Sequence, residues 1–333
     1  MSPDQKIRVA VIGAGAFGRN HARVYRQLQQ EGEPVELAAI VDLDSARAAA
    51  VAREFGNPPC LSVSELRGRV DAASVVVPTL DHLKVAQELM EAGIDVLIEK
   101  PLAPSLAEAD EIIRIAQQTG RVVQVGHLER FNPAVRATVP LLARPMFFEV
   151  HRLSVFTPRS LDIDVILDLM IHDLDIVLSF ANSPVKEIRA VGLPILTPKV
   201  DIANVRMEFE SGCVANFTAS RVSTERVRKL RFFQPQQYIS IDYSRQDVMV
   251  FTVDPSAAAK ASPNPGIGMQ KPAVISEEPL HAELRSFLDA VHHRTRPQVL
   301  LEDGRRALAV ALNVLAEIRE HSRRVGLDAV GKP

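Results

Sequence analysis

Mostly apolar runs alternate with amphipathic helical patterns over the first 126 residues. Short apolar runs are typical of strands that are covered on both faces of a sheet. Strands that alternate with helices predict a doubly wound parallel α/β sheet. The predicted strands are 7–12, 35–41, 73–77, 94–99 and 122–125, and the predicted helices are 20–30, 44–55, 82–92 and 105–119.

The alternation stops near Gly126, and consecutive strands follow it. Short turns such as Glu210-Ser211-Gly212 indicate antiparallel pairing, so the second half is predicted to be α+β. An apolar helix is predicted over 164–180, and residues 254–273, with four prolines, predict a surface loop. The predicted strands of this half are 146–156, 186–192, 203–209, 213–220, 227–233, 238–243 and 248–252, and two late helices are predicted at 279–293 and 302–322.

A chain of 333 residues exceeds the usual length of a single domain. We therefore expect a nucleotide-binding domain at 1–126 and a second domain at 127–333. The order of the elements suggests that the last helices pack back onto the first domain.

Charge and cysteine content exclude several classes of protein. The formal net charge is −2 with both signs interspersed, which favours a small-molecule substrate over nucleic acid or a membrane surface. Without a signal-like start or an apolar stretch long enough to cross a bilayer, we expect a cytoplasmic protein. Cys60 and Cys213 lie far apart, so we expect buried thiols rather than a disulfide or a zinc site.

A glycine-rich turn follows the first predicted strand. The segment Gly13-Ala14-Gly15-Ala16-Phe17-Gly18 has the spacing G-x-G-x-x-G between a strand and a helix. That spacing allows a tight turn and a close approach of the backbone to a pyrophosphate, which the start of the helix then binds. Gly13, Gly15, Ala16, Phe17 and Gly18 are therefore candidate cofactor-binding residues.

Two further strand ends are predicted at the same crevice. Asp42 follows the second strand, where a carboxylate can bind the ribose hydroxyls of NAD and repel the 2′-phosphate of NADP. We therefore expect NAD rather than NADP. Pro78 and Thr79 follow the third strand and are candidate cofactor contacts. His82 is either a cofactor contact or a packing residue.

The triplet Glu99-Lys100-Pro101 ends the fourth of these strands, at the edge where ligands bind in open α/β sheets. A charged pair there is either a surface stop or part of the chemistry. Hydride transfer from a hydroxyl group to NAD needs a base, and a lysine beside the nicotinamide supplies one without a metal. We therefore expect no metal.

Polar residues form one stripe on the apolar helix over 164–180. With an advance of about 100° per residue, Asp164, Asp168, His172 and Asp175 fall within a narrow sector. Asp168 and His172 are four residues apart, so the carboxylate can orient or charge the imidazole for proton transfer. The alternatives are a structural salt bridge for this pair and a helix cap for Asp164.

With these motifs the chain resembles the Gfo/Idh/MocA oxidoreductases, named for glucose-fructose oxidoreductase and inositol dehydrogenase. The resemblance covers nearly the whole chain, through Gly13–Gly18, Glu99-Lys100-Pro101, and Asp168 with His172. It implies a Rossmann domain followed by a domain for substrate binding and oligomerisation, built on an open, mostly antiparallel sheet. It also implies a homodimer or homotetramer formed through that sheet.

The resemblance further implies roles for individual residues. Lys100 would be the acid/base or its close assistant, His172 the second acid/base candidate, and Asp168 a partner of the substrate or of the histidine. Lys100, Asp168 and His172 would all contact the substrate, and Lys100 and Glu99 the nicotinamide end of the cofactor. Which of Lys100 and His172 is the primary base stays open.

Two segments, 125–133 and 169–173, resemble the nucleotide-sugar branch of that family. Members of the branch oxidise the 3-hydroxyl of UDP-N-acetylglucosamine or its uronate to a 3-keto sugar. Many members of the wider family have glycines where this chain has 164–166 and 170–171, so we expect the backbone near the sugar to differ from that of the inositol enzymes. Arg130 and Arg159 are candidate phosphate or sugar contacts, with an exposed structural arginine as the alternative for each.

The sequence leaves two rivals to a dehydrogenase of nucleotide sugars. The first has the same chemistry on a free polyol or aldose, such as inositol or glucose. The second is a dinucleotide sensor without catalysis, whose second domain binds a partner protein. Retention of Lys100, Asp168 and His172 argues against the sensor.

Overall fold

The computed structural model describes residues 6–56, 59–60, 62–157, 163–254 and 266–326. These residues form two compact units. The first comprises the described chain up to Phe131 together with Glu278–Leu308, and the second runs from Asn132 to Glu277 and resumes at Ala309. The sequence-based boundary lies at residue 126, five residues before this division.

The first unit is built on a six-stranded sheet in which every neighbouring pair is parallel. The strand order β3-β2-β1-β4-β5-β6 reverses direction between β1 and β4, which is the switch point where ligands bind in such sheets. The predicted doubly wound sheet is confirmed. Only the two-residue β3 was not predicted, because two residues carry no periodic pattern. The strands are β1 Ile7–Ile12, β2 Val35–Val41, β3 Pro59–Cys60, β4 Ala72–Val75, β5 Asp95–Glu99 and β6 Val123–Gly126.

The helices lie close to their predicted positions. In the first unit, the largest difference is at α1, which begins at Ala16 and not at residue 20. Glycine disfavours a helix interior, so Gly18 argued for a later start. The α-helices are α1 Ala16–Gln30, α2 Ser45–Phe55, α3 His82–Glu91, α4 Leu106–Thr119, α5 Pro133–Thr138, α6 Ile171–Ala181, α7 Pro279–His293 and α8 Leu301–Arg324, and short 3-10 turns span Val63–Leu66, Thr79–Asp81, Leu128–Phe131 and Val139–Leu141.

A continuous buried cluster joins one face of the parallel sheet to α1, α2 and α7. Tyr25 and Leu28 of α1, which share a helix face, are fully buried in it with Leu284 and Phe287 of α7. The amphipathic pattern of α7 therefore continues the core of the first unit, although the helix follows the second unit in the sequence. This position fixes Glu283, on the same helix, inside the first unit.

The second unit is built on an eight-stranded sheet with the order β14-β13-β12-β11-β7-β10-β9-β8. Its pairs are antiparallel except for β7 with β10, so the predicted mostly antiparallel sheet is confirmed. The loop predicted over 254–273 is wrong in part, because Gly266–Gln270 pairs with β13 at the sheet edge. The strands are β7 Phe147–Leu153, β8 Val185–Leu193, β9 Ile202–Phe209, β10 Val214–Ser220, β11 Val227–Gln234, β12 Gln237–Asp242, β13 Asp247–Asp254 and β14 Gly266–Gln270.

The two faces of this sheet differ in character. On the inner face, Phe148 and Phe232 are fully buried, and Phe180 of α6 packs edge-on against Phe232 at 5.9 Å between ring centroids. On the outer face, a partly exposed aromatic row crosses four strands. This row, hereafter the outer aromatic row, consists of Phe147, Phe233, Tyr238 and Phe251, with neighbouring ring centroids 4.9–5.7 Å apart.

The helix predicted over 164–180 is not a uniform α-helix. Residues Ile166–Met170 form a π-helical turn, and α6 follows it directly. A π turn takes more residues per turn than an α-helix, so the uniform rotation of about 100° per residue assumed for the four polar residues does not hold here. The carboxylate of Asp164 accepts a hydrogen bond from the Val200 backbone N–H at 2.8 Å and does not cap the helix.

A buried ion pair connects α6 to the sheet. The guanidinium of Arg152, on β7, donates two hydrogen bonds of 2.6 and 2.9 Å to the carboxylate of Asp173. Both side chains are almost fully buried, and the Arg152 guanidinium also lies 5.2 Å from the centre of the Tyr243 ring. The pair therefore fixes the position of the helix turn that carries His172.

We expect Arg152→Met to lower the free energy of unfolding by about 3–5 kcal/mol, because the Asp173 carboxylate stays buried but loses the Arg152 guanidinium. The double variant Arg152→Met/Asp173→Leu removes both charges, so it should be more stable than either single variant. Urea denaturation of the four proteins measures the difference.

Lys186→Met is the matched control, since Lys186 forms an exposed ion pair with Glu208 at 2.7 Å. It should leave the denaturation midpoint almost unchanged. A double variant that is less stable than both single variants would show that the buried charges are themselves required.

Candidate active site

Two glycines set the turn between β1 and α1. Gly13 has φ +99°, and a Cβ on it would lie 2.5 Å from the Val76 carbonyl oxygen beyond the end of β4. A Cβ on Gly18 would lie 1.8 Å from the Gly13 carbonyl oxygen. Neither position accepts a side chain without movement of the backbone. The turn therefore closes tightly over the carboxyl ends of β1 and β4.

Gly15 lies in the same turn but in open space. No described heavy atom comes within 4 Å of a Cβ placed on it. As the N-cap of α1, Gly15 provides no side-chain hydrogen bond, and the described first turn has no acidic residue. In contrast, the Asp44 carboxylate accepts hydrogen bonds from the first turn of α2. The start of α1 thus offers its N–H groups and positive dipole end to a phosphate group, as a dinucleotide requires.

Asp42 connects the end of β2 to the glycine turn. One oxygen of its carboxylate accepts a hydrogen bond from the Ala14 N–H at 2.7 Å, and the other accepts one from the Asp44 N–H at 2.8 Å. The Arg47 guanidinium lies 3.6 Å away. The carboxylate is therefore held beside the predicted phosphate site.

The segment after β4 carries the next predicted contacts. Pro78 is exposed and Thr79 half-buried, whereas His82 is buried. The His82 imidazole nitrogens lie 3.1 Å from the Val77 carbonyl oxygen and 3.3 Å from the Leu102 carbonyl oxygen. Burial lowers the pKa of His82, and the neutral ring can donate to only one of these two carbonyl oxygens. Its predicted contact with a cofactor stays a prediction.

Glu99 and Lys100 lie at the carboxyl end of β5. Glu99 is 7% exposed, and Lys100 is half-buried. The Glu99 carboxylate accepts a hydrogen bond from the Lys100 backbone N–H at 3.3 Å and lies 3.2 Å from Nε2 of His21. The Lys100–Pro101 peptide bond is cis.

A group of buried polar side chains lies beneath this strand end. The Tyr25 hydroxyl is hydrogen-bonded to the Ser74 hydroxyl at 2.9 Å, and burial raises the pKa of Tyr25. Gln124 donates to the Glu283 backbone carbonyl at 3.3 Å. Glu283 is fully buried, and its carboxylate has no hydrogen-bond partner among the described residues. Burial, and secondarily the charge of Glu99, raise the pKa of Glu283 well above the usual value of a carboxyl group.

The second unit holds the other predicted acid/base residues. Asp168 lies in the π-helical turn, His172 follows in the first turn of α6, and both are half-buried. Breaks of this kind in a helix are frequent at functional sites. Arg130 belongs to the first unit, where its guanidinium lies 3.8 Å from the Asp303 carboxylate. Arg159 lies outside the described residues.

The sequence reasoning missed His21, Glu283 and the Arg152–Asp173 pair. A signal for His21 was present, since it is a polar residue three positions after Gly18 on the inner face of α1, between the buried residues Gly18 and Ala22. Glu283 similarly interrupts the apolar face of α7. As predicted, Cys213 is a buried free thiol, and burial raises its pKa to about 11. The helices of the described chain include none that is long and apolar enough to cross a membrane.

Comparison with known proteins agrees with this geometry. Residues 7–127 match the model of an oxidoreductase family with an NAD-binding Rossmann fold, and residues 144–239 match the Gfo/Idh/MocA C-terminal domain. The UDP-N-acetylglucosamine 3-dehydrogenase of Acidithiobacillus ferrooxidans is 38% identical over 321 residues, which are 96% of this chain and 99% of the relative. The scyllo-inositol 2-dehydrogenase (NAD(+)) of Bacillus subtilis is 28% identical over 66% of this chain and 69% of the relative.

Solved structures give the same result. A structure of UDP-N-acetylglucosamine 3-dehydrogenase from Acidithiobacillus ferrooxidans matches with a TM-score of 0.85 at 36% identity, over 94% of this chain and 98% of that one. A myo-inositol 2-dehydrogenase from Lactobacillus plantarum shares the fold, with a TM-score of 0.78 at 20% identity over 95% of this chain and 98% of that one.

The parallel sheet, the tight glycine turn and the open helix start define a dinucleotide-binding oxidoreductase. The chain belongs to the Gfo/Idh/MocA family. The predicted fold class and the prediction of a dehydrogenase that acts on a hydroxyl group are thereby confirmed. A nicotinamide dinucleotide fits the residues present, with the start of α1 at its phosphates.

We expect Gly15→Ala to weaken cofactor binding and Gly18→Ala to lower stability. A Cβ at 15 enters open space and leaves stability nearly unchanged, but it occupies the approach to the phosphates and should weaken NADH binding about tenfold or more. A Cβ at 18 meets the Gly13 carbonyl and should lower stability by roughly 1–3 kcal/mol. Thermal denaturation without cofactor and calorimetric titration with NADH separate the two effects.

Gly32→Ala is a control for the introduced methyl group, because no described atom lies within 4 Å of its Cβ either and Gly32 lies beyond the end of α1. Gly32 has φ +93°, so this control should lose some stability but no NADH affinity. Undiminished NADH binding by Gly15→Ala would contradict the assignment of the phosphate site.

Proposed function

We propose that this protein oxidises the 3-hydroxyl of a UDP-N-acetylhexosamine to a ketone, with transfer of hydride to NAD. The observation that supports this choice of substrate is the 38% identity to a UDP-N-acetylglucosamine 3-dehydrogenase over 96% of the chain. The similarity to inositol dehydrogenases is weaker and extends over about two thirds of the chain, which keeps a free polyol as the second candidate.

The chemistry divides between the cofactor and the side chains. The chemistry that a nicotinamide dinucleotide would supply when bound is a hydride acceptor for the sugar carbon. Lys100 or His172 takes the hydroxyl proton, and Asp168 assists by orienting the imidazole or the sugar. Support comes from the position of Lys100 at the carboxyl end of β5, in the same unit as the glycine turn, and of Asp168 and His172 at a π-helical break.

For the cofactor we propose NAD over NADP. Asp42 would accept the ribose hydroxyls, and its negative charge would repel a 2′-phosphate. Gly13, Gly15, Ala16, Phe17 and Gly18 would contact the pyrophosphate through the backbone, and Pro78 and Thr79 would line the approach to the nicotinamide. Glu99 and His82 would hold the backbone after β4 and β5 in position, since their polar atoms already have protein partners.

For the substrate, we propose that Arg130 and Arg159 contact its phosphates or sugar. Arginine binds oxyanions through two parallel hydrogen bonds, which suits a pyrophosphate. The Arg130 side chain is 16% exposed, so it keeps some access to a ligand.

We also propose that two or four copies of the chain assemble through the outer aromatic row. Phe233 is 38% exposed, and contiguous exposed apolar side chains are typical of surfaces that bind a partner. The cytoplasmic location expected from the sequence stays a prediction.

We expect purified protein with NAD and UDP-N-acetylglucosamine to produce NADH, measured by absorbance. Lys100→Met should lower kcat by about 10²–10⁴-fold, because it removes a group that exchanges a proton in the transition state. The dissociation constant of NADH should change little.

Lys84→Met, which removes an exposed lysine of α3, is the matched control and should keep full activity. The panel of substrates includes UDP-N-acetylgalactosamine, free N-acetylglucosamine, glucose and myo-inositol. Turnover of myo-inositol but of no UDP-sugar would favour the second candidate, and wild-type kcat in Lys100→Met would refute the role of Lys100. Mass spectrometry of the bound cofactor detects NADH that is formed in a single turnover and retained, so that retention is not mistaken for a lack of activity.

Asp42→Asn tests the choice of cofactor. Asparagine keeps an oxygen for the Ala14 N–H but removes the charge, so the ratio of kcat/KM for NAD to that for NADP should fall roughly tenfold or more. Asp44→Asn, two residues further on, should leave the ratio unchanged. An unaltered ratio in Asp42→Asn would show that the preference arises elsewhere.

A further inference from the structure

The carboxylate of Glu99 lies between the side chain of His21 and the backbone N–H of Lys100. One oxygen lies 3.2 Å from His21 Nε2, and the other accepts the hydrogen bond from the Lys100 N–H at 3.3 Å. A carboxylate is only an acceptor when ionised, so both partners donate to it. The contact with an ionised Glu99 requires the His21 tautomer that carries a proton on Nε2.

The surroundings pack closely around this carboxylate. A Cβ on Gly126 would lie 2.7 Å from one Glu99 oxygen and 3.0 Å from the other, so the carboxylate fills the space above that glycine. His21 is fully buried, and the Phe17 ring packs edge-on against its imidazole at 5.2 Å. The contact thus links α1, which starts at the glycine turn, to the strand end that carries Lys100.

Glu283 is the second carboxyl group of this buried region. Two carboxyl groups that interact in a buried space do not both ionise readily. Glu99 has two hydrogen-bond donors, whereas Glu283 has none among the described residues, and burial raises the pKa of Glu283. Burial thus favours the protonated form of Glu283, and Glu99 is the carboxyl group of this region that has hydrogen-bond donors beside it.

We propose that His21 and Glu99 form a positioning pair for Lys100, in which the imidazole holds the carboxylate and the carboxylate fixes the Lys100 backbone. The inference rests on the proposed function, because it gives the pair a purpose in hydride transfer. Neither residue exchanges a proton with the substrate. Their effect is on the placement of Lys100, and an error of about 1 Å in such a group can cost 10²-fold in rate.

The test compares His21→Leu, which removes the donor, with His21→Gln, which keeps an N–H donor on a side chain of similar length. Tyr25→Phe, one turn further along the same buried face of α1, is the matched control, since it removes a hydrogen bond to Ser74 that does not involve Glu99. Three quantities are measured for each: kcat, KM for both substrates, and the amide resonance of Lys100 in protein labelled with ¹⁵N-lysine, of which the chain has nine.

We expect His21→Leu to lower kcat about 10–100-fold with KM within threefold, and to shift the Lys100 amide proton upfield as its hydrogen bond weakens. His21→Gln should recover most of both values, and Tyr25→Phe should change neither. Equal losses in His21→Leu and Tyr25→Phe, or an unmoved Lys100 amide in His21→Leu, would overturn the proposal.

Two further variants keep the test decisive if His21→Leu folds poorly. Glu99→Gln and the double variant His21→Leu/Glu99→Gln lack the buried negative charge, and their losses in kcat should be equal within about threefold, because both act through one link. Fully additive losses would refute the pair. Glu283→Gln, a neutral replacement, should keep wild-type kcat, and a large loss there would show that Glu283 acts as a charged group.

Failure of the proposed function gives a different result. If the wild-type protein oxidises no UDP-sugar or polyol, the substrate assignment fails. The Lys100 amide shift needs no turnover and still reports whether His21 and Glu99 fix the Lys100 backbone.

Discussion

The close approach of the Gly13 carbonyl oxygen to Gly18 is the constraint on which the cofactor half of the protein depends. A Cβ at residue 18 would lie 1.8 Å from that oxygen, so α1 can begin at Ala16 only because the position has no side chain. The early start aims the first N–H groups of α1 over the carboxyl end of β1. It also sets the helix phase that buries His21 against Glu99 and Tyr25 against Ser74.

Much of the fold was predictable because its strands and helices have strong, regular patterns. The buried strands of the first unit and the amphipathic face of α7 follow from periodicity alone. The departures occur where the pattern is short or irregular: the two residues of β3, the glycine-containing β14, and the π-helical turn before α6. A π turn leaves no periodic signal that differs from an apolar α-helix, so the predicted stripe through Asp164, Asp168, His172 and Asp175 assumed a uniform rotation.

The candidate site was predictable to a different degree. Strand ends identified Asp42 and Lys100, because a parallel sheet brings its carboxyl ends to one edge. The residues that hold them could not be inferred, since His21, Gly126 and Glu283 lie far from Glu99 in the sequence and meet it only in the folded unit. The same is true of Arg152 and Asp173, because these opposite charges meet only when α6 packs against β7 in the folded unit.

Gly126 illustrates how indirect the requirements of such a site are. It ends β6, and the Glu99 carboxylate lies directly over it. Any side chain at this position would displace that carboxylate and, with it, the backbone of Lys100. In a survey of natural or laboratory variants, replacements of residue 126 should therefore lower activity more than they lower stability, although it carries no reactive group and ends a strand.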